Sequence, residues 1–231
     1  MSDSFQFKQF IIKQDRCAMK VGTDGVLLGA WSEAGGTKIL DIGTGTGLVA
    51  LMMAQRSDAE IIGIDIDEQA ARQAQENFEA SPWKLRLRAL CGDINLFETR
   101  QTFDEIVSNP PYFENSPVTT NAQRNMARNG MMLGYEQLIQ AVNRLLSDNG
   151  IFEVIIPSQF SDDFDYKCWQ HNLFLYRKTL VRTKPDKPVK RILMAFGRKQ
   201  TEVRQDELCL MDIQNKRTPA YNDLTSDYYF K

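Results

Sequence analysis

Asp41-Ile42-Gly43-Thr44-Gly45-Thr46-Gly47 decides the fold of this chain. An apolar run at 38–42 leads into it and a helix-forming run, 47–56, leads out, so the glycines mark a strand-to-helix turn. Glycines there let the backbone turn sharply and approach a ligand closely, while the helix start offers free N–H donors. A dinucleotide fingerprint needs G-x-G-x-x-G; counting from Gly43, the third glycine would fall on Leu48. The pattern is instead G-x-G-x-G preceded by an acid. Outward from this turn, short β-rich runs alternate with helical ones. Strands are predicted at 60–65, 85–90, 103–108 and 151–156, and helices at 67–80 and 135–146. Two more strands, 174–183 and 191–196, are joined by Lys184-Pro185-Asp186-Lys187-Pro188 and read as a hairpin closing the sheet edge. This order predicts an α/β fold, a parallel sheet wrapped by helices.

Composition narrows the chemistry. The 231 residues, 42% hydrophobic and 25% charged, suit one domain, 1–231, in which 38–231 is the core and 1–37 a cap over the sheet's ligand edge. The longest apolar run, 48–54, is far below the roughly 20 residues a bilayer crossing needs. The opening segment has no basic stretch followed by a sustained apolar one, so a cytoplasmic protein without a membrane partner is expected. Cys17, Cys91, Cys168 and Cys209 form no C-x-x-C pair and read as reduced core thiols. His171 is the only histidine and reads as part of a packed helix end; a multi-histidine site is excluded and no metal is expected. A net charge of -2 rules out a uniformly basic protein but leaves room for a local basic face.

Asp65 ends the second strand, 24 residues beyond Asp41, where a carboxylate can accept both ribose hydroxyls of an adenosine. Asp67 reads as the N-cap of the next helix. The acid-plus-glycine turn resembles motif I of class I S-adenosylmethionine methyltransferases, in which the methionine part of the cofactor lies against the turn. The resemblance assigns Asp41, Gly43, Thr44, Gly45 and Gly47 to cofactor binding. Cys91-Gly92-Asp93-Ile94 follows the third strand. In methyltransferases an acid in this place commonly contacts the cofactor's adenine amine, a role that falls on Asp93; a turn-forming Asp-Gly neighbourhood reads from the same letters.

Ser108-Asn109-Pro110-Pro111-Tyr112 stands at the carboxyl end of the fourth strand. Its N-P-P-Y resembles the catalytic motif of enzymes that methylate planar nitrogens. An exocyclic amine is a poor nucleophile because its lone pair is delocalised into the ring. Acceptors on its two hydrogens, the Asn109 amide oxygen and the Pro110 carbonyl, favour a tetrahedral nitrogen and aim the lone pair. Pro110 and Pro111 stiffen the loop so that these acceptors need not reorganise. Tyr112 offers a stacking face, worth about 1–3 kcal/mol in comparable contacts. No general base is needed before transfer, because the methylated ammonium is strongly acidic.

Over nearly its whole length the chain is similar to the bacterial methyltransferases that modify adenine 37 of a valine tRNA at N6. The likeness runs through FQFKQFIIKQDRCAMKVGTDGVLLGAW (5–31), DIGTGTG, Ser81-Pro82-Trp83, SNPPY and YNDLTSDYYF (221–230). It implies a Rossmann-like class I methyltransferase fold: a mostly parallel seven-stranded sheet with an antiparallel edge hairpin and helices on both faces. It also implies S-adenosylmethionine as donor and a tRNA anticodon loop as acceptor, with no obligate protein partner. Lys20, Thr23 and Asp24 precede an apolar stretch, 26–30, that reads as a helix facing the cofactor pocket, with Asp24 a partner for the methionine group or a residue that only packs.

A base held in a structured loop must be pulled from its stack while the surrounding phosphates are held. Two segments are suited to this, 113–132 with Arg124 and Arg128, and the hairpin with Arg182, Lys184, Lys187, Lys190 and Arg191. The core motifs alone also fit N6-adenine or N2-guanine methylation of ribosomal RNA, and N5-methylation of a protein glutamine. That last family carries a helical recognition domain before its first strand, against 37 residues ahead of Lys38 here. A non-catalytic RNA-binding module would have no need of Asn109 and Tyr112 together.

Overall fold

The computed structural model describes residues 3–17, 20–111 and 133–230, which form ten strands and six α-helices. The strands are β1 (Ser4–Gln6), β2 (Ile11–Lys13), β3 (Lys38–Ile42), β4 (Glu60–Asp65), β5 (Leu87–Cys91), β6 (Phe103–Ser108), β7 (Leu146–Pro157), β8 (Phe174–Arg182), β9 (Val189–Gly197) and β10 (Arg204–Cys209). The helices are α1 (Thr23–Trp31), α2 (Leu48–Arg56), α3 (Glu68–Glu79), α4 (Tyr135–Leu145), α5 (Ser161–Gln170) and α6 (Pro219–Thr225).

Eight strands form the main sheet in the order β10-β8-β9-β7-β6-β3-β4-β5. Only β9 opposes its neighbours; the other pairs are parallel. The parallel strands β3 and β6 are covered on both faces, and each is buried at all but one position. Two helical layers supply the cover. On one face α1, α2 and α3 meet the sheet through Val26, Leu51, Met52 and Phe78. On the other, α4 and α5 bury Leu138, Ile139, Val142 and Phe164. Each large apolar side chain so buried contributes about 1.5–3 kcal/mol before chain entropy is counted.

Two sequence expectations change. The sheet has eight strands, not seven, and the β8–β9 hairpin does not close its edge. β10 pairs with β8 along six residues, from Arg204↔Arg177 to Cys209↔Arg182. Its sequence, RQDELC, is exposed at four of six positions, three of them charged, which blunts a free edge but hides the strand from a hydrophobicity reading.

The first 37 residues do two jobs. Residues 20–25 reach the ligand edge. The β1–β2 hairpin packs instead against α3 and the C-terminal segment. Asn77 of α3 accepts from Lys13 N (2.9 Å) and donates to Lys13 O (2.9 Å) and Thr46 O (2.8 Å). Lys8 N donates to Tyr228 O (2.9 Å), and the Tyr228 hydroxyl donates to Met52 O (3.0 Å), so the C-terminal segment joins the N-terminal hairpin to α2.

The core-thiol expectation fits Cys17 and Cys168, which are buried; Cys91 is exposed at the end of β5 and Cys209 is half-buried. His171 caps the end of α5 with Nε2 2.8 Å from Glu136 Oε1. Among the described residues no helix is long and apolar enough to cross a membrane, and no group of three or more His, Cys, Asp or Glu could hold a metal ion.

Candidate active site

Parallel register brings four strand ends level. Ile42 of β3 pairs with Ile64 of β4 and Ser108 of β6, and Asp65 pairs with Cys91 of β5. Turns carrying Gly43, Asp67, Asp93 and Asn109 therefore leave the same edge, the place where open α/β sheets take ligands.

The glycine turn is held from below, with Gly43 N and Thr44 N donating to Ile64 O at 2.8 and 3.1 Å. Gly43, Gly45 and Gly47 have φ of 72°, 55° and 80°. At Gly47 the need for glycine is double: a Cβ would also stand 2.5 Å from Phe78 Cε1. Beneath the turn, Asp41 is buried and accepts from Thr44 Oγ1 at 2.7 Å. Burial pushes its carboxyl up to about 7, against the pull of that hydrogen bond.

Asp65 joins two turns: its Oδ2 accepts from Gly45 N (2.8 Å) and its Oδ1 from Asp67 N (3.0 Å). Burial raises its pKa, and these N–H donors work against the rise. Asp67 caps α3, accepting from Gln69 N at 2.9 Å, the role read from the sequence. Asp93 Oδ1 accepts from Asn95 N (2.9 Å) and Nδ2 (2.8 Å), so it caps its own turn while standing at the ligand edge.

A cleft of about 330 Å³ opens at this edge, lined by residues 20–25, Asp41, residues 43–46 and Asn109, with Gly47 outside the lining. Asp65 and Asp93 lie outside its lining, at the ends of the next two strands. Ser108 Oγ donates to Ile42 O (2.8 Å), tying the end of β6 to β3 and bringing Asn109 into the cleft beside the glycine turn. Pro110 is buried and Pro111 half-buried behind it. Gly25, which the sequence reading did not single out, lets α1 come this close: a Cβ there would stand 3.0 Å from Leu48 Cδ2 and 3.9 Å from Asn109 Nδ2. Its signal was the glycine directly after Thr23-Asp24.

Asp24 and Arg191, given separate roles from sequence, are ion-paired at 2.8 Å. The pair joins the first turn of α1 to β9, which meets β7 at Pro157↔Arg191, on the cleft side of the sheet. The 183–188 turn therefore rises at the same edge. On it Lys187 is exposed, as is Lys190 just beyond, and Lys184 is half-buried. Arg182 turns aside, donating to Glu207 Oε2 (3.3 Å) and Lys187 O (3.1 Å). Tyr112, Arg124 and Arg128 lie outside the described residues.

The donor set suits S-adenosylmethionine. A buried carboxyl, Asp41, lines the cleft, as an amino acid's ammonium requires, while the N–H groups of Gly43, Thr44, Gly45 and Gly47 are already engaged in holding the turn. A carboxylate one strand over suits a ribose diol. Nothing stands within 4 Å of a Cβ built on Gly43, which leaves room over the turn. Fold and edge together define a class I S-adenosylmethionine-dependent methyltransferase, and residues 19–160 match the Methyltransferase small domain family. Among solved structures, a predicted O-methyltransferase from Agrobacterium tumefaciens superposes with a TM-score of 0.69 at 19% identity, covering 89% of this chain and 96% of that one. The T. thermophilus 16S rRNA N2 G1207 methyltransferase, in complex with AdoMet and guanosine, gives 0.58 at 19% identity over 85% of this chain and 50% of that one.

Sequence relatives are much nearer. A tRNA1(Val) (adenine(37)-N6)-methyltransferase of Bacteroides fragilis is 46% identical, over 98% of each chain. The protein of that name from Pectobacterium carotovorum is 41% identical over 98% of this chain and 94% of its own. The chain belongs to the family of tRNA1(Val) (adenine(37)-N6)-methyltransferases.

Proposed function

We propose that this chain transfers a methyl group from S-adenosylmethionine to the exocyclic N6 of adenine 37 in a valine tRNA, acting in the cytoplasm. The observation that carries the chemistry is Asn109, delivered by β6 into the cleft that holds the glycine turn. The names of relatives 40–46% identical over nearly the full chain support the substrate.

The cofactor, when bound, supplies an electrophilic methyl on a sulfonium. Asp41 and the glycine turn hold its amino-acid end, Asp65 its ribose and Asp93 its adenine amine. Asn109 Oδ1 and the Pro110 carbonyl accept the two N6 hydrogens and bias that nitrogen toward tetrahedral geometry. Pro110 and Pro111 keep these acceptors in place, so little reorganisation is left for the reaction itself. Tyr112 stacks on the flipped base. Lys184, Lys187 and Lys190 meet phosphates beside the cleft, and Arg191 braces α1 through Asp24. Arg124 and Arg128 are held to the same RNA-contacting role.

The test is transfer from labelled S-adenosylmethionine to unmodified total tRNA, followed by nucleoside analysis of separated isoacceptors. N6-methyladenosine at position 37 of valine tRNA is the expected product. A product confined to ribosomal RNA, or to a protein glutamine, would overturn the substrate.

A further inference from the structure

Arg144 stands in the last turn of α4, a helix fixed to the sheet by Leu138, Ile139, Val142 and Leu145, all buried. Its guanidinium reaches back about fifty residues in sequence to the loop after β5. Nη2 donates to Ile94 O at 2.7 Å and Nη1 to Phe97 O at 2.6 Å. These are the carbonyls of the turn that Asp93 opens. Leu96 N donates to Asp93 O (3.0 Å), Phe97 N to Ile94 O (3.3 Å), and Asn95 N to Asp93 Oδ1 (2.9 Å). The turn is closed at its start by Asp93 and clamped along its length by one planar fork.

A fork spanning two carbonyls fixes both the position and the tilt of the turn, which a point charge on one carbonyl does not. Ile94 is buried in the core beside Ile42 and Ile64 and anchors one point of the turn. We infer that Arg144 is a positioning residue for adenine recognition: it touches no cofactor atom, and it sets where the Asp93 carboxylate stands relative to the strand ends. The inference rests on the assignment of Asp93 to the adenine amine.

Binding of two ligands separates the possibilities without any turnover. S-adenosylhomocysteine carries the 6-amino group, and S-inosylhomocysteine has a carbonyl there. Dissociation constants for both are measured by calorimetry on the wild type, Asp93→Ala, Arg144→Gln and Arg144→Lys, with circular dichroism melts to show each is folded. The wild type should prefer the adenosyl ligand by about tenfold or more, the scale of one charge-assisted hydrogen bond. Arg144→Gln should bring that preference below about threefold, and Arg144→Lys, able to hold one carbonyl, should fall between.

A general loss of packing would weaken both ligands alike and leave their ratio unchanged, and that result in the Arg144 variants overturns the inference. If Asp93→Ala loses the preference while both Arg144 variants keep it, Asp93 reads the adenine without help from Arg144. If Asp93→Ala keeps the preference, the assignment of Asp93 falls and the inference falls with it. Should Arg144→Gln not fold, Arg144→Lys decides by the same ratio.

Discussion

Gly45 N donates to Asp65 Oδ2 at 2.8 Å, so the glycine turn after β3 and the acid ending β4 form one unit. The carboxylate proposed to hold the ribose is also the acceptor that fixes the turn proposed to hold the methionine end. Asp65→Ala should therefore weaken S-adenosylmethionine binding by about 1.5–3 kcal/mol, the range for hydrogen bonds to a charged group. Calorimetry measures it, and an unchanged dissociation constant would place the ribose contact elsewhere.

Gly47→Ala should destabilise the fold by at least about 2 kcal/mol, since it adds left-handed strain to a clash with Phe78. Urea unfolding reads this directly. A change within about 0.5 kcal/mol would mean that α2 starts differently from the structure.

The buried acids give the stability a direction in pH. Burial lifts Asp41 from its ordinary 3.8 to about 7, and burial with the neighbouring Glu105 lifts Glu153 well above its ordinary range. The folded chain keeps protons that the unfolded chain has released. The stability each group contributes is thus whole below its unfolded pKa and is lost as pH rises through the folded one. For Asp41 that window runs from about 4 to about 7. Across it, Asp41→Asn should gain on the wild type by up to about 1.4 kcal/mol per pH unit in urea unfolding. A difference that stays constant with pH would show that Asp41 ionises normally in the fold.

At the edge proposed to meet RNA, Lys190 is exposed, whereas Arg191 is committed to Asp24 at 2.8 Å. Lys190→Ala should weaken tRNA binding and lower the slope of log K against log salt by about 0.7–0.9, one phosphate contact. Arg191→Ala should instead weaken cofactor binding, because its partner sits in the turn of α1 that lines the cleft. An unaltered slope for Lys190→Ala would remove that residue from the RNA.

The parts of this molecule legible in sequence are those specified by local chemistry. β3, β4 and β6 could be read to the residue because each is a short β-rich run ended by a turn signal, Gly43 after β3, the Asp67 helix cap after β4 and Pro110 after β6. β10 could not, because an exposed edge strand is selected for charge rather than burial. The glycine turn, Asp65 and Asn109 were legible as motif residues, and the strand register brings them to one edge. Arg144 was not, since its meaning lies in two carbonyls some fifty residues away. Asp24 and Arg191 were each given a ligand, while the structure gives them one another, a pairing that 167 residues of separation conceal.

Asn109→Ala tests the central claim most directly, because Asn109 shares the donor's cleft but is assigned wholly to the acceptor. Single-turnover transfer to unmodified valine tRNA and the cofactor dissociation constant are measured on the same preparation. Transfer should fall by about a hundredfold or more, with the dissociation constant within about threefold of wild type. A dissociation constant that rises in step with the lost transfer, or transfer that survives the substitution, would contradict the account.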